Sequence, residues 1–237
     1  MAIYMWREKI VDYLCFTSGY ENSTLQLRKN WSPTVVSIEI STDLTTWSDY
    51  TFWDTISLPN EWDKVYFRNK SETDTGFSTS LSDNYQFIIE NWYNMRASGD
   101  VTTLLNKNWT TTLSEYCFAY LFQNCHKLFT PPSLLATTLA QYCYYGMFFS
   151  CSWMYWIPSL PATTLPDYCY SNMFNGCSNL ALSTSQSWTF STPYRLPTEW
   201  TWTALTTEWN YRMFYGSWGS VSRPAINTTY YTNNQVV

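Results

Sequence analysis

Three segments of this chain are copies of one another at a spacing of 26 residues. Residues 113–138 read LSEYCFAYLFQNCHKLFTPPSLLATT, residues 139–164 read LAQYCYYGMFFSCSWMYWIPSLPATT, and residues 165–182 read LPDYCYSNMFNGCSNLAL. Leu113, Leu139 and Leu165 open the copies, and Tyr-Cys pairs begin at Tyr116, Tyr142 and Tyr168. A second cysteine returns on the same beat at Cys125, Cys151 and Cys177. A fixed period in the twenties marks units that stack because none can bury its apolar face alone. No other feature limits the architecture as much.

The residues inside each copy predict a capped helix followed by an extended arm. Thr112, Thr138 and Thr164 stand where an N-cap hydroxyl belongs, with Glu115, Gln141 and Asp167 three residues later. The first two pairs match the capping box, and Pro166 suits a first helical turn, where its missing N–H costs little. Leu113, Cys117, Leu121 and Cys125 recur every four residues as one apolar stripe, repeated by Leu139, Cys143, Met147, Cys151 and by Leu165, Cys169, Met173, Cys177. Gly176 reads as a helix stop, and the proline-bearing runs KLFTPPSL and MYWIPSLP read as extended arms. The pattern returns once, altered, from Leu205: Trp209 and Ser217 take the cysteine slots and Met213-Phe214 stands for Met173-Phe174. That last copy reads as a terminal cap.

Upstream, the period changes. VDYLCFTS, TLQLRK, VVSIEIS, DKVYFRN and YQFIIE are short runs rich in Val, Ile, Tyr and Phe, separated by polar turn residues. Such spacing predicts a small all-β sandwich, with a polar surface loop over 69–84. The chain divides into an N-terminal segment 1–10, a β-sandwich domain 11–98, and a junction 99–112 with a short helix covering the first copy. The repeats occupy 113–217 and a polar tail, either edge strand or interaction tail, occupies 218–237. The expected class is α+β, an N-terminal all-β sandwich followed by a short α/β leucine-rich-repeat-like solenoid.

Composition narrows the functional classes. Charged residues make up 13% of the chain and aromatics 20%, with a net charge of −5. That balance offers no electrostatic footprint for nucleic acid. Between Leu113 and Leu182 the charged residues are Glu115, Lys127 and Asp167, so the repeat surface is neutral, hydroxyl-rich and aromatic. No run reaches the roughly 18 apolar residues that span a bilayer as a helix, and Arg7, Glu8 and Lys9 interrupt any apolar signal-peptide core. The seven cysteines lack the two-to-four-residue spacing of zinc ligands and read as small buried hydrophobes.

Tyr168-Cys169-Tyr170, Met173-Phe174, Gly176-Cys177 and Leu180, with Pro158, Leu160 and Pro161-Ala162-Thr163-Thr164-Leu165, form a recognisable pattern. It resembles the BspA-like bacterial leucine-rich repeats, and most closely a cysteine-bearing subclass common in gut Bacteroidales and their phages, including crAss-like phages. The likeness is strong over 113–182 and weaker to 217. It implies a non-enzymatic surface protein for adhesion. One form is a phage virion component of head or tail fibre that meets host-surface or mucosal glycans and other virion proteins. The alternatives are a bacterial cell-surface adhesin and a purely structural virion part. It implies no catalytic residue, cofactor, metal, nucleic acid or membrane insertion, and a homo-oligomer is compatible with it.

Candidate binding residues are the aromatics crowding the second copy: Tyr144, Tyr145, Trp153, Tyr155 and Trp156. The competing reading puts these rings in the core. His126, the sole histidine, follows Cys125 but reads as a loop residue, and Asp43, Asp49, Asp54, Glu61 and Asp63 lack the spacing of a calcium loop. Seven glycines stand against fourteen tryptophans, and NEWDK, EWTWT and GSWGS put Trp where turns favour glycine. Either these rings are exposed platforms for sugar, or UGA codons read as glycine in the source have been translated as Trp. The intact mass of native protein separates the two.

Overall fold

A computed structural model describes residues 12–31, 36–74, 76–90, 93–107, 110–197, 204–206 and 208–237. In chain order the strands are β1 (Leu14–Ser18), β2 (Ser23–Lys29), β3 (Ile38–Ser41), β4 (Ser48–Asp49), β5 (Ile56–Leu58), β6 (Lys64–Asn69), β7 (Tyr85–Ile89) and β8 (Met95–Ser98). The repeats and tail add β9 (Leu128–Thr130), β10 (Trp156–Ile157), β11 (Thr164–Leu165), β12 (Thr192–Arg195), β13 (Ala204–Leu205), β14 (Thr229–Thr232) and β15 (Gln235–Val236). One turn of 3-10 helix, Val101–Leu104, is the only helix among the described residues. The protein is therefore nearly all β, its sheets neither closed nor arranged as a solenoid, which overturns the expected α+β class with an α/β solenoid.

Every upstream run expected as a strand is one. Antiparallel β1, β3, β4, β6 and β8 form a sheet that β9 extends in parallel, in the order β4-β3-β6-β1-β8-β9, and β5-β2-β7 form a second. Alternation decides which residues face inward: Leu14 and Phe16, Leu25 and Leu27, Val65 and Phe67, and Tyr85, Phe87 and Ile89 are all buried. The sheets meet through aromatic edges, Phe16 to Phe87 at 4.7 Å and Phe67 to Phe87 at 5.2 Å between ring centroids. The loop 69–84 is not wholly at the surface, since Phe77 is buried against Tyr85 and Phe118.

The expected helices at 113–125, 139–151 and 165–177 do not form. Backbone φ is positive at Tyr116, Tyr120 and Asn124, at Tyr142, Gly146 and Ser150, and at Tyr168, Asn172 and Gly176. A left-handed residue every fourth position cannot belong to an α-helix. Each segment is instead a ribbon of consecutive tight turns. Odd-numbered N–H groups bond three residues back, as from Ala119 to Tyr116 and from Leu121 to Phe118. Even-numbered ones leave the ribbon for the next copy: Phe118 to the Cys143 carbonyl at 2.7 Å, then Tyr144 to that of Cys169 at 3.0 Å. Half of the backbone donors are thus satisfied only by a neighbour, which is why the unit must repeat.

The spacing of four that suggested a helical stripe is the period of the turns, and the buried residues it named are buried all the same. The proposed capping threonines Thr112, Thr138 and Thr164 cap nothing. They pair with one another as parallel β-bridges. Gly176 is a left-handed beat, not a helix stop. The altered last copy keeps register, with Tyr170 N–H on the Trp209 carbonyl and Phe174 N–H on that of Met213, both at 2.8 Å.

Side chains follow the same ladder. Phe122, Phe148 and Phe174 stack at 5.3 and 5.7 Å, nearly parallel, and Phe87 of β7 and Phe214 continue the column at its two ends. Cys125, Cys151 and Cys177 donate their thiols to the carbonyls of Phe87, Phe122 and Phe148 at 3.1, 3.0 and 3.0 Å. The first ribbon is thus covered by the upstream sheet, with Phe87 N–H on the Leu121 carbonyl at 2.7 Å and Ser78 N–H on that of Cys117 at 2.9 Å. In the junction the 3-10 turn is capped by the Asp100 carboxylate on Thr102 N–H. One hydrophobic cluster runs from Leu14 to Tyr230 across both regions.

The tail is built into the fold. β14 pairs with β12 and β15 with β10. Asn234, fully buried, donates to the carbonyls of Tyr155 and Asn179 at 2.8 and 2.9 Å and accepts from Ala181 N–H at 3.0 Å. The expected N-terminal segment 1–10 lies outside the described residues.

Candidate ligand-binding surface

The arms after the first two ribbons run parallel to one another and to β8, and β15 of the tail continues the ladder. Met95 N–H bonds the Lys127 carbonyl at 2.9 Å, Tyr155 N–H that of Phe129 at 3.0 Å, and Val237 N–H that of Ile157 at 3.0 Å. Met95, Leu128, Met154 and Ile157 are buried, while Arg96, Phe129, Tyr155 and Trp156 are left partly or fully exposed. Outside, Phe129 and Tyr155 stack in parallel at 6.0 Å. Arg96 lies 5.2 Å from the Trp62 ring and 5.8 Å from that of Phe129. Lys127 sits 3.5 Å from the centroid of Trp153. The result is an aromatic strip crossing from the upstream sheet onto the repeats.

Three of the five candidate residues, Trp153, Tyr155 and Trp156, reach this region; Tyr145 and Tyr144 do not. Trp153 is 41% exposed, and Tyr145, Tyr155 and Trp156 are half-buried. Tyr144 is 1% exposed, stacked at 6.0 Å on Phe118 and at 5.9 Å on Tyr170, and so is a core residue that touches no surface ligand. Burial pushes its phenol far above the usual range. Tyr145 lies on the ribbons, not the arms, with its hydroxyl accepting from Asn172 Nδ2 at 3.0 Å. Tyr155 donates its hydroxyl to the Asn233 carbonyl at 3.1 Å, which fixes the ring.

Trp156 borders a groove of about 320 Å³ shared with Asp12, Ala97, Ser98, Gly99, Thr130, Pro131, Ser133 and Val237. Gly99 is required there: its φ is +75°, and a Cβ would run into the Tyr13 carbonyl. Thr130 donates its hydroxyl to the Ala97 carbonyl at 2.9 Å. Sequence reasoning named Trp156 but not its partners, because Asp12, Ser98 and Ser133 come together only where the chain before β1 and the first arm both pair beside β8 and Asp100. Phe129 and Arg96 were missed for the same reason.

All seven cysteines are free and buried. Desolvation raises every thiol, that of Cys143 to about 12, so none is a thiolate at neutral pH. His126 is exposed with Nδ1 2.8 Å from the Ser150 carbonyl. Asp43 is engaged locally: it accepts from the N–H groups of Thr45 and Thr46 at 2.8 and 2.7 Å, which hold its carboxyl well below the usual range. Among the described residues no three His, Cys, Asp or Glu side chains are grouped as metal ligands, and no helix is long and apolar enough to cross a membrane.

The tryptophans divide by backbone. Trp31, Trp53 and Trp62 adopt φ of 57°, 79° and 72°, the left-handed region glycine favours, with rings 83%, 53% and 56% exposed. Trp62 is the one in NEWDK. Trp218 of GSWGS has no such φ, its neighbour Gly219 having φ +127° instead, and Trp200 and Trp202 of EWTWT lie outside the described residues. Trp209 is buried in the core, and Trp47 is held between Tyr13 and Arg68, at 4.9 and 3.9 Å.

Fold and surface together define a β-rich protein in which stacked turn ribbons continue an antiparallel sheet. No family model matches the chain, nor does any curated protein or solved structure. The likeness to BspA-like repeats therefore rests on the residues quoted for it.

Proposed function

We propose that the chain is a non-enzymatic adhesion protein of a phage virion surface, binding neutral glycans of the host surface or mucus through the outer face of its parallel arms. The observation that carries this reading is the aromatic strip of Trp62, Phe129, Trp153 and Tyr155, with Arg96 and Lys127 lying against its rings. Rings that pack no core give up water cheaply when they meet another weakly apolar surface, and aromatic residues are the usual anchors of recognition. Buried, protonated thiols and an isolated histidine support binding rather than turnover.

The test has two parts. Purified virions from the source are probed for the chain with an antibody, and the intact chain is applied to an array of neutral host and mucin glycans. Presence on particles together with glycan binding is expected. Presence on particles with silence across the array points to a purely structural part, a reading favoured by the cations already lying over Trp62 and Trp153. Absence from particles overturns the virion reading.

A further inference from the structure

We infer that the groove beside Trp156 is the sugar subsite of this surface, taking one uncharged pyranose ring; the inference rests on the adhesion reading and assigns it a place. Three observations on the groove converge. Its volume of about 320 Å³ lies at the small end of the roughly 300–1,000 Å³ typical of ligand sites, the scale of one sugar ring rather than a peptide. At Gly99, which lines it, no side chain can stand, because a Cβ would run into the Tyr13 carbonyl. Its border combines one large aromatic ring with a carboxylate and hydroxyls.

That combination suits a pyranose. One face of the ring carries axial C–H bonds, weakly apolar and slightly positive, which match the negative face of an indole. The edge carries hydroxyls that need both donors and acceptors once water leaves. Asp12 is exposed and is the only charged side chain on the border, and a carboxylate accepts hydrogen bonds from hydroxyls. The Ser133 hydroxyl has no partner among the described residues and can donate or accept. Ser133 is also placed firmly, because its backbone N–H bonds the Gly99 carbonyl at 2.8 Å and its carbonyl takes the Val101 N–H at 3.3 Å. The same Asp12 repels sialic and uronic acids, so the groove selects uncharged sugars.

The lining residues come from β8, from the arms after the first two ribbons, and from the chain just before β1 and just after β15. The subsite therefore exists only when the tail is paired in place. The strip depends on the tail less, through the Tyr155 hydroxyl on the Asn233 carbonyl.

The test titrates the intact chain with methyl glycosides of glucose, galactose, mannose and N-acetylglucosamine, read by tryptophan fluorescence and saturation-transfer NMR. At least one glycoside is expected to bind saturably. Trp156→Ala is expected to weaken it by about tenfold or more, the factor that about 1.4 kcal/mol supplies. Asp12→Asn is expected to weaken it less, and Trp156→Tyr, which keeps a ring, to retain most of it and serve as the control for folding. Trp188→Ala, at an exposed ring outside both groove and strip, should leave it unchanged. Saturable binding that survives Trp156→Ala, or that Trp188→Ala removes, places the sugar elsewhere and overturns the subsite while adhesion stands. Glycan-array binding without any response to these glycosides also overturns it. Silence in both assays sinks subsite and adhesion together.

Discussion

The upstream sheets and the stacked ribbons both hold residues in left-handed backbone, yet they treat them differently. In the ribbons these residues fall on a strict beat of four and their side chains are reused: Tyr116, Tyr142 and Tyr168 stack nearly parallel at 4.9 and 4.8 Å. In the sheet region Trp31, Trp53 and Trp62 sit at isolated turns, their rings mainly in solvent. Trp53 and Trp62 recover only an arginine each, at 5.3 and 5.2 Å. A left-handed conformation costs an ordinary residue about 1–2 kcal/mol. Repetition lets one ribbon's cost be offset by contacts with the next, and an isolated turn has no such partner.

The strongest challenge to this contrast is alkaline pH, which acts almost entirely on the ribbons. Six buried thiols, Cys117, Cys125, Cys143, Cys151, Cys169 and Cys177, have folded pKa values raised by burial. In the unfolded chain a thiol ionises near 8.5. Below that pH both states are protonated and stability is unaffected. Above it the unfolded chain loses protons that the folded one keeps, and each thiol removes about 1.4 kcal/mol per pH unit. Cys143 continues to do so up to about 12. Circular dichroism is expected to show cooperative unfolding within one or two pH units above 9. A chain still folded near pH 12 would mean that the thiols are hydrated in solution.

Next in size is the phenylalanine column. Phe148 is fully buried between Phe122 and Phe174, and Phe148→Ala is expected to cost about 3–5 kcal/mol in urea unfolding. Because one hydrophobic cluster joins both regions, the loss should appear in a single transition. Two separated transitions would show that the sheets and ribbons fold independently.

The smallest effect has the opposite sign. Trp62→Gly is expected to raise stability by about 1 kcal/mol, the relief of left-handed strain reduced by the lost contact with Arg96 and by glycine's greater freedom when unfolded. Gly146→Ala, also left-handed and facing the Tyr120 ring, should destabilise. A destabilised Trp62→Gly would mean that the indole contributes more than the turn costs. A native protein whose intact mass matches glycine at these positions would explain the strain by decoding.

The strands were legible because alternation at period two has one structural meaning, as at Leu25 and Leu27 against Gln26 and Arg28. The ribbons were legible only in part. Leu113, Cys117, Leu121 and Cys125 are buried as the stripe implied, but a spacing of four belongs equally to a helix and to successive four-residue turns. The signal that separates them is Asn124, Gly146, Asn172, Gly176 and Gly216, residue types suited to positive φ, all on one beat. Tyr116 and Tyr142 mask that signal because tyrosine is rarely left-handed. Of the groove only Trp156 was legible, since its border joins residues as distant as Asp12 and Val237.

The even-numbered donors of each ribbon point to the next copy, and within each join the offset is constant: 25 residues for the first two ribbons, as from Phe118 to Cys143 and from Tyr144 to Cys169, and 39 for the third, as from Phe174 to Met213. Such an interface carries no memory of which copy it joins. Genetic duplication or loss of one whole unit between Leu139 and Leu165 would splice identical surfaces together, leaving the covering sheet and the knitted tail each with a familiar neighbour. The chain can thus change length in steps of one unit while keeping both of its ends.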